Sequence, residues 1–440
     1  MKRRSFTTWS GHHRCWPEGW ARPDSVEGVV DVVARAGRLG GRVKVVGAGH
    51  SWSDIACSDG VMLQLDGLAG ILAEDRGGGT VTVAAGTRLR DLNVLLDERG
   101  LAMPSLGSIS EQSVAGAIST GTHGTGVEVG SLSSLVVGLT LVDGTGQLRS
   151  LTAADGDVFE AARVGLGALG VVVSVTLRVC PAFRLREVAT ACTFAEAVDQ
   201  MESLSRQSRH VKLWWLPHTE RVVVYAWEPT DAAPTWGPGA SRLWRAQRAM
   251  DRAVNAAVFP AMLGLGRVFP DSVPVANRLT QEHYLVAGER IARSDLIFNL
   301  AMPPAHREME YGLPVERAGE ALERLRGLID KNGLRVNFIV EVRFVAPDPI
   351  LLSGSFGRAS CQLGAYMAEC PDLPKYFGLF EEMCLEMDGR PHWGKEFYAD
   401  AASLRGAWPD SWERFEAVRA ELDPGHLFEN AFLRRVFSVA

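Results

Sequence analysis

The chain has 440 residues, 46% of them hydrophobic, which is too long for one simple core and fits two domains. Forty-six Lys plus Arg stand against 52 Asp plus Glu, a formal net charge of −6 with no long basic tract, so a nucleic-acid partner is excluded. Seven cysteines, at Cys15, Cys57, Cys180, Cys192, Cys361, Cys370 and Cys384, are odd in number and form no Cys-x-x-Cys pair, so neither a disulfide framework nor a metal site is expected.

In chain order, the basic start Lys2-Arg3-Arg4 runs into polar Thr7-Thr8 rather than an apolar signal core, and a cytoplasmic location is expected. Residues 25–36 have the period of a helix, and 43–46, 61–65 and 80–84 read as strands. Directly after Val46 comes Gly47-Ala48-Gly49-His50-Ser51-Trp52, where bare backbone N–H groups can approach an anion such as a pyrophosphate. A Gly-x-Gly pattern alone is weak and is equally compatible with a strand that ends in a glycine turn. After a helix over 89–99 and the pair Gly107-Ser108, residues 113–126 are too rich in small and hydroxylated side chains for ordinary core packing. Ser113, Gly116, Ser119, Gly121, Thr122, His123 and Gly124 suit backbone wrapped around a cofactor. Strands follow over 135–142 and 169–179, the second holding Gly170, Val171 and Val172, and Pro181 marks the exit.

Beyond 181 the character changes, with strands at 211–215 and 222–227, a Pro- and Gly-rich loop at 228–240, and helices starting near 243 and 315. Residues 253–266 are apolar and helix-like but contain Pro260 and are too short to span a bilayer, so a buried or oligomer-facing helix is expected there. The strand-like run 338–345 carries Glu341 and Arg343 two residues apart, on one face of an otherwise apolar segment. An exposed charge pair is the alternative reading. His392-Trp393-Gly394-Lys395 comes last, in a segment expected to return to the first domain and place its polar side chains in the cleft between domains.

These motifs, in this order, resemble the flavoproteins of the vanillyl-alcohol-oxidase type and, within them, the aldonolactone and alditol oxidoreductases. The resemblance spans nearly the whole chain. It is carried by Gly49-His50-Ser51, by 54–60, by 107–126, by Glu310-Tyr311, by Glu341-x-Arg343, by His392-Trp393-Gly394-Lys395 and by Leu422-Asp423-Pro424-Gly425. It implies an α+β, two-domain flavoprotein: a PCMH-type FAD-binding domain over 1–180, a cap and substrate domain over 181–385, and a C-terminal segment over 386–440 that returns to the domain interface. It also implies FAD attached covalently through His50, with no thiol near Gln112 for a second link. Val46, Gly47, Ala48, Gly49, Ser51 and Trp52 would line the pyrophosphate side of the cofactor, with Gly107, Ser108 and the 113–124 residues named above opposite. Gly170, Val171 and Val172 would lie at the adenine end, and His392 beside the flavin.

The implied reaction is hydride transfer from a CH–OH carbon of a sugar-derived alcohol to flavin N5. Arg343 and Lys395 would stabilise the developing alkoxide, and Glu341 would accept a hydrogen bond from a neighbouring hydroxyl. Glycine at the place of Gly107 goes with the oxidases of this family, so molecular oxygen is the expected acceptor and hydrogen peroxide the product. The 54–60 segment looks like the aldonolactone branch, 394–397 leans toward the alditol branch, and 357–365 reproduces neither pocket. A sugar moiety on a specialised-metabolite intermediate is therefore an alternative substrate, and a dehydrogenase or electron carrier that does not use oxygen is an alternative function. Expected partners are a small sugar or polyol and oxygen, with no membrane span and the oligomeric state open.

Overall fold

Ser25 starts the first long helix, Val26–Arg38, by accepting a hydrogen bond from Gly28 N at 3.1 Å, which satisfies one of the free N–H groups of the first turn. The computed structural model describes residues 4–238, 240, 242–300 and 304–438. Behind that helix lies a parallel three-stranded sheet in the order Gly19–Ala21, Val61–Gln64, Val43–Val46. Beside it is an antiparallel five-stranded sheet in the order Leu148–Thr152, Val136–Val142, Val171–Arg178, Thr80–Ala84, Ile71–Asp75. Its outer strands, Leu148–Thr152 and Ile71–Asp75, are mostly exposed, and with little buried face to impose alternation they left no period-two signal in the sequence.

The remainder is organised by one antiparallel eight-stranded sheet. Its order is Gly288–Arg293, Arg184–Thr193, Arg221–Thr230, His210–Trp215, Val340–Val345, Ser360–Met367, Arg307–Pro314, Arg390–Pro391. At its centre Lys212 pairs directly with Arg343 and Trp214 with Glu341, while Leu213 pairs with Val342. Alternation then sorts the two faces. Leu213, Val342, Met309 and Leu363 join the core with the helices Ala318–Lys331 and Leu373–Glu386, whose Leu322, Leu325, Phe377 and Phe380 are buried in the same cluster. Lys212, Trp214, Glu341, Arg343, Tyr366, Glu308 and Glu310 point the other way, into a cavity.

The C-terminal helices lean on the first two sheets. Val43 N donates to Leu427 O at 2.9 Å, Gly144 N donates to Leu422 O at 2.7 Å, and Asn430 donates to the carbonyls of Ile55 and Cys57.

The apolar stretch 253–266 is not buried. It forms a π-helical turn, Val254–Val258, that runs without a break into a helix, Phe259–Val268, whose second residue is Pro260. Only Gly266 of that helix is buried, and Leu265 and Val268 face outward. Its inward side chains Phe259, Met262 and Leu263 wall the cavity instead of filling a core, which is why an apolar helix here stays half wet. Among the described residues, no helix is long and apolar enough to cross a membrane.

Candidate active site

A cavity of about 1380 Å³ lies between the loops of the first half and the polar face of the eight-stranded sheet. His50, Ser51, Trp52, Gly107, Ser108, Thr122, His123, Glu341, Arg343, His392 and Lys395 all border it. A second groove, sharing His50 and Ser51, is bordered by Val46, Gly47, Ala48, Gly49, Ser113, Gly116, Ser119, Gly170 and Val172. Gly121, Gly124 and Val171 border neither. Gly124 packs against Ser105 and Leu106, Val171 is fully buried, and Gly121, at φ +72°, turns the chain out of the short helix Val114–Ser119.

The groove is a backbone structure. Gly49 takes φ +70°, and a Cβ on Gly47 would press into Ser113 Oγ, the hydroxyl that caps Val114–Ser119 through Gly116 N. Across the groove, Leu166 at φ 54° and Gly167 at φ 62° form a left-handed turn. The buried Lys44 ammonium holds that turn by donating to both carbonyls, at 3.2 and 3.1 Å. Burial, with Arg419 adding to it, pulls the Lys44 pKa down to about 7.

His50 stands where groove and cavity meet. Its ring stacks on Trp9, with centroids 5.5 Å apart and planes 19° apart, and its Nδ1 is buried without a hydrogen-bond partner. Burial lowers its pKa, which keeps the imidazole neutral and its lone pair available. An unpartnered buried nitrogen costs free energy unless something else engages it, and beside a glycine-walled groove it fits a covalent link to FAD.

On the sheet face, Glu341 is ringed by donors. Trp214 Nε1 at 2.6 Å and Arg343 Nη2 at 3.0 Å donate to its Oε1. Tyr366 donates to Oε2 at 2.8 Å, and Arg343 Nε lies 2.9 Å from the same oxygen, off the hydrogen-bond direction. Burial works against the charge, yet Arg343 and then Lys212 hold the carboxyl down to about 2. Burial likewise opposes the Arg343 charge, and Glu341 more than restores it. Arg343 Nη2 also donates to Ser108 Oγ at 2.6 Å, tying the sheet to the 107–126 loop.

Opposite them, Lys395 contacts Glu308 and lies over the Trp52 ring, 4.1 Å from its centroid. The other Glu308 oxygen is 2.6 Å from His306 Nε2. Burial pulls the Lys395 pKa down to about 7. Contact with the Glu308 carboxylate favours the charged form, and the group titrates below the usual lysine range. His392 accepts from Gly394 N through Nδ1 at 3.0 Å, which assigns its hydrogen to Nε2, and burial holds its pKa at about 4. Beside it, His123 bridges Gly124 O and Glu310, at 3.0 and 2.8 Å.

Sequence reasoning passed over Lys44, Lys212, Trp214, Tyr366 and Glu308. A signal existed for the first two, since a lysine inside an apolar strand such as Val43–Val46 or His210–Trp215 must be either at an edge or answering a buried oxygen. For Glu308 and Tyr366 nothing local marked them, because strand pairing alone brings them to the cavity.

The family model described as D-arabinono-1,4-lactone oxidase matches residues 175–436, and one described as FAD binding domain matches 17–152. An L-gulono-1,4-lactone dehydrogenase from Mycobacterium tuberculosis is 36% identical over 98% of both chains. An L-gulonolactone oxidase from Bos taurus is 35% identical, again over 98% of both. Among solved structures, cholesterol oxidase from Brevibacterium sterolicum superposes with a TM-score of 0.80 at 19% identity, over 99% of this chain and 97% of that one, which speaks to the fold. By matched domains and by full-length relatedness, the chain belongs to the aldonolactone oxidase family, FAD-dependent oxidoreductases acting on CH–OH donors.

Proposed function

We propose that this enzyme oxidises a ring CH–OH of an aldono-1,4-lactone or a closely related sugar, with FAD joined to His50 and oxygen as the acceptor. The observation that carries this reading is the convergence of Arg343 and Lys395 on one cavity beside the unpartnered His50 Nδ1. Bound FAD would supply the two-electron acceptor. Arg343 and Lys395, both charged and desolvated, stabilise the substrate oxygen as its proton leaves. Glu341 is already crowded by donors, so its part is to fix Arg343 rather than to receive a substrate hydroxyl. His392, neutral and held by Gly394, closes the floor of the site. The division into a cofactor half ending near 180, a cap and a returning C-terminal segment is the arrangement under which these groups meet.

Oxygen as acceptor is supported by glycine at 107, the residue expected of the oxidases; it borders the cavity, and an added Cβ would crowd His123 O and Thr122 Cγ2, both at 3.2 Å. The second reading, a dehydrogenase, is favoured by the name of the Mycobacterium tuberculosis relative. Anaerobic mixing with L-gulono-1,4-lactone or D-arabinono-1,4-lactone should bleach the flavin, and admitting air should restore it with stoichiometric peroxide. No bleaching by either lactone refutes lactone oxidation, whereas a reduced flavin that persists in air but responds to a quinone selects the dehydrogenase. Acid precipitation should leave the flavin on the protein, and His50→Ala should release it to the supernatant.

A further inference from the structure

Lys212 belongs to the cavity wall, and beyond its pull on Glu341 it has no part in the chemistry assigned to Arg343 and Lys395. It stands directly across the strand pair from Arg343, is 1% exposed, and borders the cavity. Its ammonium lies over the rings of Trp214, Tyr225 and Trp227, at 4.0, 5.1 and 5.4 Å from their centroids. Glu341 Oε1 is 3.6 Å away, an ion pair but longer than a hydrogen bond. Aromatic faces attract a cation without taking its hydrogens as an oxygen does. Glu341, in turn, is engaged by Trp214, Arg343 and Tyr366.

This part of the wall is therefore in donor excess: Lys212, Arg343 and Arg290 stand against Glu341 and Glu187, and Glu187 is itself taken up by Arg290 and Trp227. A hydroxyl placed there brings one more hydrogen to a region with little left to receive it. A carbonyl or carboxylate oxygen only accepts, so it satisfies the buried ammonium without adding an unpaired donor.

We propose that Lys212 is a substrate-binding residue that selects an acceptor-only oxygen other than the reacting one, the carbonyl of a lactone or the carboxylate of its opened acid, over the hydroxyls of an open-chain polyol. This rests on the lactone reading for the identity of the ligand, and binding can be measured apart from oxidation. Flavin-loaded protein is titrated anaerobically by calorimetry with L-gulono-1,4-lactone and with sorbitol, using wild type, Lys212→Met, Lys212→Gln and Lys212→Arg, and flavin bleaching is followed in parallel. Wild type should prefer the lactone. Lys212→Met should weaken lactone binding by about 10- to 30-fold, as expected for a lost hydrogen bond from a charged donor. Sorbitol binding should move by less than about threefold, and Lys212→Arg should restore most of the lactone affinity. If Lys212→Met fails to hold flavin, Lys212→Gln, which keeps a polar end, carries the same comparison. Equal losses for both ligands, no loss for either, or a wild type that does not prefer the lactone would overturn the proposal. Selective lactone binding without bleaching upholds the role of Lys212 and instead refutes oxidation of that lactone.

Discussion

The groove around Gly47 and the wall around Arg343 meet at one cavity but are built by opposite means. The groove is lined chiefly by the glycine-rich segments 46–51 and 113–119, each nearly continuous in sequence, with Lys44 bracing the 166–167 turn across from them. The wall is made of charged side chains delivered by four strands far apart in the chain and held by one another. A backbone site tolerates loss of side-chain atoms and is damaged by gaining one. A set of paired buried charges behaves the other way, because deleting one member leaves its partner buried and unanswered.

The sharpest test of that contrast is Arg343→Met. It should slow flavin reduction by about 10²- to 10³-fold, the scale of losing one preorganised donor to a developing oxyanion. It should also lower stability by about 3–5 kcal/mol, the usual cost of leaving a buried charge such as Glu341 without its partner. Stopped-flow reduction and thermal melting measure the two effects, and a variant with normal reduction would take Arg343 out of the site.

Lys395→Met should come next, with a loss of about 10²-fold in reduction and the flavin absorbance retained. The sign of its pH dependence follows from burial. The ammonium is the active form, its pKa is depressed, and reduction should fall as pH rises through a point below the ordinary lysine range. That limb should vanish in Lys395→Met, and a wild-type profile flat up to pH 10 would contradict the assignment.

On the groove side, Gly47→Ala adds a single carbon against Ser113 Oγ and should cost about 1–3 kcal/mol, typical of forcing an extra carbon into a packed site. Lower flavin content on purification should accompany the loss, and full loading with unchanged melting would show that the groove yields. The smallest effect is expected from Gly107→Ala, a few-fold slower reoxidation in air with reduction unchanged, read by double-mixing stopped flow.

The same contrast governs what could be read from the sequence. The helix read at 25–36, Val43–Val46, Thr80–Ala84 and the small-residue run 113–126 were legible because periodicity, propensity and glycine spacing are local properties. Glu341 and Arg343 were legible as a pair on one face, and the structure brings both to the cavity. Their neighbours Lys212, Tyr366 and Glu308 were not, since strand order is set by long-range pairing that no window of residues encodes. Of the two readings of 253–266, a buried or an oligomer-facing helix, burial does not hold for a related reason, because apolar residues that roof a cavity have the same composition as those that fill a core.

The direct pairing of Lys212 with Arg343 also bears on how the chain folds. Two like charges facing each other across a strand pair repel, and Glu341, two residues along on the same face, reconciles them. A slip of either strand by one residue would turn its charges into the layer now held by Leu213 and Val342. Misaligned pairings are thereby made costly at the middle of the sheet, so the groups assigned to substrate also guard the alignment of the strands that present them.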